Sequence, residues 1–162
     1  MAGIAHLGIG LAAKTIAPKA PLGILLLASE ALDLLWGVFA LSGIENLQVS
    51  PWSHGLFMSV IWSGIFALLS WRIYRDRRTG LVIGLVVFSH WVLDFITHPM
   101  FGGPLDLPLL FAGSPKVGLG LYSAIAPWLT VLLELGWVLL GLGFYLRART
   151  HGRAGLKKNI PG

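Results

Sequence analysis

The chain has 162 residues, 56% of them hydrophobic and only 12% charged, with a formal net charge of +5. Soluble domains carry about 25% charged residues. This composition therefore cannot clothe a water-facing surface, and the mean hydropathy of +0.78 points to a bilayer-embedded protein. The absence of cysteine excludes disulfides, zinc–thiolate sites and thiol chemistry.

In chain order, the first apolar stretch is Ala2–Thr15, which ends at Lys14, Pro18, Lys19 and Pro21. It lacks a basic leader and contains His6, so it reads as a short membrane helix rather than a signal peptide. Four longer apolar segments follow, Leu22–Ile44, Ser53–Tyr74, Thr79–His98 and Tyr122–Leu146. Each approaches or exceeds the ~20 residues that cross a bilayer. The expectation is an all-α, polytopic helical bundle: four transmembrane helices plus the short N-terminal one. Residues 1–162 read as a single membrane domain that ends in a basic tail, 147–162.

The basic residues orient this bundle. Arg72, Arg75, Arg77 and Arg78 separate the second and third spans, Lys14 and Lys19 precede the first, and Arg147, Arg149, Arg153, Lys157 and Lys158 form the tail with a solvated His151. Four spans place all of these basic residues on one side and leave only Lys116 opposite, so that side is expected to be cytoplasmic. Lipid headgroups, not nucleic acid, are the expected partners of the basic tail.

Of the acids, Asp76 belongs to the basic loop and Glu45 and Asp106 to outward loops, whereas Glu30, Asp33, Asp94 and Glu134 fall within spans. His90 lies with them, His54 and His98 stand near span ends, and His6 lies in the short N-terminal segment. Ionisable groups at the centre of a span cost roughly 2.5–3.5 kcal/mol each and mark functional interiors. In FSHWVLDFITHPMFGG, residues 88–103, His90, Asp94 and His98 recur every four residues and share one helix face. Apart from Arg72 at the end of the second span, no lysine or arginine lies inside a span to pair with these acids. They are either protonated or hold a cation, and imidazole with carboxylate suits zinc, manganese or iron. Haem ligation by paired histidines is disfavoured by the adjacent carboxylates.

The order His6, ASEALDLLW, PWSHG and SHWVLDFIT resembles the YdjM-like family of inner-membrane metal-dependent hydrolases, distantly related to zinc-dependent phospholipase C and single-strand nucleases. The loop GSPKVGLGLYS further resembles a branch of uncharacterised bacterial membrane proteins that share PWSH and SHWVLD. The resemblance implies that Asp33, His54, His90 and Asp94 ligate a metal and that His6 serves a second ion bridged by Asp94; His98, at a position that is not a general ligand of that family, is a secondary candidate. Related soluble enzymes carry a late His-x-x-x-Glu where this chain has Thr130 before Glu134, so one or two ions are implied rather than three.

The expected activity is metal-assisted hydrolysis of a phosphoester in a lipid or lipid-linked substrate. Glu30 or Glu134 would act as general base, and Lys116 and Asp106 would bind substrate at the mouth. Zinc leads as the ion. The site would lie toward the outer side of a bacterial cytoplasmic membrane, with the C-terminus cytoplasmic and homo-oligomerisation open. The alternative is a proton or divalent-cation relay built on the same cluster.

Overall fold

A computed structural model describes residues 3–46, 50–99 and 105–157, with side chains through residue 150. The side chains of His151, Arg153, Lys157 and Lys158 lie outside the described residues, as do 100–103 of the FSHWVLDFITHPMFGG stretch. Six α-helices make up the fold: α1 Ala5–Ala13, α2 Leu22–Ser29, α3 Ala31–Leu41, α4 Leu56–Tyr74, α5 Arg77–Thr97 and α6 Pro127–Lys157. Between α5 and α6, two short strands pair antiparallel, β1 Leu107–Pro108 and β2 Lys116–Val117. A 3-10 turn at Leu121–Ala124 follows them.

Helices α4, α5 and α6 are long and apolar enough to cross a membrane, and α2 with α3 makes a fourth if the bent pair is one span. Most of α5 is buried, whereas α4 and α6 expose most of their surface. Leucines and isoleucines such as Leu69, Ile73, Leu132 and Leu139 dominate that exposed surface, while histidines and acids lie inside. Apolar outside and polar inside is the pattern expected of a chain solvated by lipid.

Small residues let the helices approach. A side chain at Gly8 would meet the Trp137 carbonyl on α6, and one at Gly141 would meet the Gly8 carbonyl. On the other flank of the bundle, a Cβ at Gly84 would stand 2.7 Å from the Ala67 Cβ, which seats α5 on α4. The apolar core joins Ala13, Ala17 and Ala20 of the α1–α2 region to Leu25, Leu32, Ile83 and Val87.

The structure differs from the sequence expectation at two helices. The first long span is broken at Glu30, where α2 and α3 meet at 58°. Glu30 adopts φ −101° and ψ 8°, and the preceding carbonyl, that of Ser29, accepts a hydrogen bond from His90 Nδ1 at 2.7 Å. A side chain that takes a helix carbonyl is a recognised cause of a kink. The last helix starts at Pro127, not Tyr122, because proline favours the first helical turn and keeps the residue before it extended. It then runs to Lys157, so Arg147 and Arg149 extend the same helix.

At the α4–α5 turn, Asp76 caps α5: its carboxylate accepts from the Thr79 N–H at 2.9 Å and hydroxyl at 2.6 Å, and from Lys19 at 3.1 Å. These hydrogen bonds, chiefly the Thr79 hydroxyl, hold the Asp76 carboxyl down at about 2. Because that value lies below the ordinary one near 4, the cap's contribution is complete above about pH 4. It is lost only as pH falls through about 2, which NMR titration of Asp76 checks. Separately, Gly8→Val is expected to push α1 off α6 and lower the thermal midpoint by an overpacking penalty of about 1–3 kcal/mol. Gly143→Val, where a Cβ meets open space, is the control expected to unfold like wild type in detergent.

Candidate metal centre

Three helices and one turn converge around the Asp94 carboxylate. Helix α1 brings His6, α3 brings Asp33 from just beyond the break, the turn before α4 brings His54, and α5 brings His90, Asp94 and, at its end, His98. His90 and Asp94 are 1% and 3% exposed, so bulk water does not screen them.

Asp94 lies within reach of four imidazole Nε2 atoms. Its Oδ1 is 3.3 Å from His6 and 3.5 Å from His98, and its Oδ2 is 3.4 Å from His90 and 3.6 Å from His54. On the other side of the His54–His90 pair, Asp33 Oδ1 is 3.2 Å from His54 Nε2 and 3.6 Å from His90 Nε2. Charge-assisted N–H···O bonds close at about 2.7–2.9 Å; His54 and Asp33, at 3.2 Å, are within hydrogen-bond distance, and the other separations are longer. They match neighbouring ligands around one ion: tetrahedral bonds of 2.0–2.2 Å place ligand atoms about 3.3–3.6 Å apart. Two overlapping triads have ligand atoms that all lie within 4.8 Å of one another, His6–His90–Asp94 and Asp33–His54–His90.

The outer nitrogens of three histidines carry the same message. His90 Nδ1 donates to the Ser29 carbonyl at 2.7 Å, and a carbonyl can only accept. His98 Nδ1 donates to Asp106 Oδ2 at 3.1 Å, and His54 Nδ1 lies 2.8 Å from Ser53 Oγ. With the proton on Nδ1, a neutral imidazole turns a bare Nε2 lone pair toward the cluster. Bare nitrogens facing carboxylate oxygens repel unless a cation lies between them. Orientation of a ligating histidine through its second nitrogen is the usual support of a metal site.

The His6 and His90 rings stack at 3.7 Å with planes 6° apart. Two imidazolium cations at that distance would repel by about 4 kcal/mol at an effective dielectric of 20, so full protonation is a poor way to neutralise the acids. His6 Nδ1 is buried without a hydrogen-bond partner.

The remaining candidates are spread around this centre. Glu30 stands at the break within electrostatic reach of His6, His90, Asp33 and Asp94, with Oε1 buried and unpartnered. Asp106 pairs with His98, which makes it an orienting partner of that histidine. Lys116 is an exposed residue of β2, whose hairpin docks on the cluster's end of α5 through Leu119 N–H to the Phe95 carbonyl at 2.7 Å. Glu134 is buried on α6 and accepts the Ala5 N–H at 2.8 Å, which places it on the N-terminus of α1 and not among the ligand atoms. Helix N-termini present unpaired N–H groups and partial positive charge, so a buried carboxylate there has a structural reason.

Sequence reasoning missed the Ser29 carbonyl and the Ser53 hydroxyl as second partners of histidines. Ser53 could have been flagged beside His54 in PWSHG; the Ser29 carbonyl carries no signal in residue type. No protein-family model, curated protein or solved structure matches the chain. Buried His/Asp groups that can hold a metal ion are therefore the firm finding at this site.

Zinc at about a hundred times its dissociation constant is expected to raise stability by about 2.7 kcal/mol. Thermal unfolding in detergent, with and without zinc, should show that gain in wild type and lose it in Asp94→Ala.

Proposed function

We propose that the chain is a membrane-embedded, metal-dependent hydrolase of a phosphoester in a lipid or lipid-linked substrate, as its resemblance to the YdjM-like hydrolases implies. The observation that carries this reading is the Asp94 carboxylate 3.3–3.6 Å from four imidazole Nε2 atoms in an apolar bundle. Asp33, His54, His90 and Asp94 would hold one divalent ion, zinc first by donor chemistry, and His6 would serve a second, with His98 beside it. A divalent ion there supplies an activated water and offsets charge that develops on phosphoryl oxygens.

The protein's own groups do the rest. Glu30, unpartnered at Oε1 and adjacent to the cluster, is the general base; burial keeps it close to the reacting atoms and away from competing water. His98 and Asp106 form the rim under the β1–β2 hairpin, and Lys116 on that hairpin meets the phosphate at the mouth. In this reading the bundle has four spans with α1 as a short membrane helix. The basic turn and tail face the cytoplasm of a bacterial inner membrane, and the cluster lies toward the outer leaflet.

The 58° break at Glu30 favours a second reading. Interrupted helices beside ionisable groups also build ion pathways in transporters, so the same cluster can relay protons or a divalent cation.

Metal content by mass spectrometry, followed by a lipid-phosphate hydrolysis screen, separates the two. Hydrolysis predicts zinc, manganese or iron near stoichiometry in wild type and loss of metal in folded His90→Ala and Asp94→Ala. With metal bound, Glu30→Gln is expected to cut the rate about 10²–10⁴-fold, the range for a lost general base. Absence of metal after reconstitution with each candidate ion, together with proton or cation flux in proteoliposomes, would overturn the hydrolase.

A further inference from the structure

Glu45 has no role in the site as described, yet it is 5% exposed, and Ser53 beneath it is fully buried. Its Oε1 accepts the Trp52 N–H at 2.6 Å and the Ser53 N–H at 3.0 Å, and its Oε2 accepts the Ser53 hydroxyl at 2.7 Å. Ser53 Oγ in turn lies 2.8 Å from His54 Nδ1. A carboxylate only accepts, so the Ser53 proton points at Glu45 and its oxygen is left to accept from His54. The chain of bonds has one direction throughout: His54 Nδ1–H to Ser53 Oγ, Ser53 O–H to Glu45.

We propose that Glu45 is a positioning residue that, through the Ser53 hydroxyl, keeps a proton on His54 Nδ1 and leaves Nε2 as the atom that faces Asp33 and Asp94. An acid outside the cluster thereby decides whether His54 can be a ligand at all. The consequence for ion affinity rests on the metal-centre reading; the tautomer itself does not.

Glu45→Gln separates charge and proton direction from shape. The glutamine carbonyl must replace Oε1, because only an acceptor can meet the N–H groups of Trp52 and Ser53. Its NH₂ then takes the place of Oε2 and donates to Ser53 Oγ, which turns the Ser53 proton toward His54 Nδ1. His54 is driven to the opposite tautomer, with Nε2–H aimed at the Asp33 oxygen 3.2 Å away. Exchanging a carboxylate for an amide behind a histidine can reverse its tautomer while leaving the geometry intact.

The test is ¹⁵N NMR of His54 in the metal-free, detergent-solubilised protein, read at Nδ1 and paired with zinc affinity by chelator competition. Wild type and Ser53→Thr should show a protonated Nδ1, Glu45→Gln should show a bare Nδ1 with Nε2–H, and Ser53→Ala should lose the Nδ1–H preference. Zinc should bind about 10–100-fold more weakly to Glu45→Gln, the usual cost of losing an outer partner. The double variant Glu45→Gln/Ser53→Ala should bind like Ser53→Ala alone, because the inverting hydroxyl is gone. An unchanged tautomer in Glu45→Gln overturns the proposal, as does a pure Nδ1–H form in Ser53→Ala should the glutamine variant fail to fold. Failure of zinc to bind wild type would remove the metal centre and leave the tautomer result to decide the proposal.

Discussion

Burying carboxylates with no permanent cation among them is the constraint on which this architecture turns. Asp94 is almost fully enclosed, and the groups around its oxygens are imidazoles. Histidine is the one basic residue that can meet an acid either as a cation or as a neutral donor of a lone pair. The His6–His90 stack penalises charging both rings, and the long N···O separations leave room between them. Groups so arranged can hold a metal ion.

The rest of the fold can be read as the means of bringing four segments to one point. Helix α1 has nine residues and starts at the level of the cluster, so His6 arrives on its first turn. A helix end inside a bundle leaves N–H groups without partners, and Glu134 from α6 supplies an acceptor for Ala5. The break between α2 and α3 belongs to the same logic: the Ser29 carbonyl orients His90, and one turn on Asp33 reaches both His54 and His90. Close glycine contacts, Gly8 with Gly141 and Gly84 with Ala67, hold α1, α4, α5 and α6 near enough for side chains this short to meet.

The outer partners differ in kind, and that difference shapes the centre. His90 is oriented by a neutral carbonyl, His98 by the carboxylate of Asp106 on the hairpin segment, and His54 by a serine backed by Glu45. A carboxylate behind an imidazole raises its basicity as a ligand, whereas a carbonyl chiefly fixes direction. The two loops that close the bundle's end therefore act electrically on the metal groups as well as sterically. Glu30 is distinct from all of these, an acid at a helix break with one oxygen that has no hydrogen-bond partner among the described residues.

Much of this was legible from residue types and spacing. Apolar length gave the helices that are long and apolar enough to cross a membrane, and the four-residue spacing of His90, Asp94 and His98 put them on one face. The cost of acids inside apolar segments singled out Asp33 and Asp94, and the structure brings both to the histidines. The break at Glu30 was not legible, because alanine, leucine and glutamate are good helix formers and the disturbance comes from His90, sixty residues away in sequence. Nor was the difference between Glu134, which caps a helix, and Asp94, which centres a cluster, since each is an acid in an apolar run. Glu45 looked like an ordinary loop acid until the turn folded it onto Ser53. Composition and periodicity determined what had to be buried; which atom faces which, and so which proton sits where, depends on contacts between distant segments and was decided only by the tertiary structure.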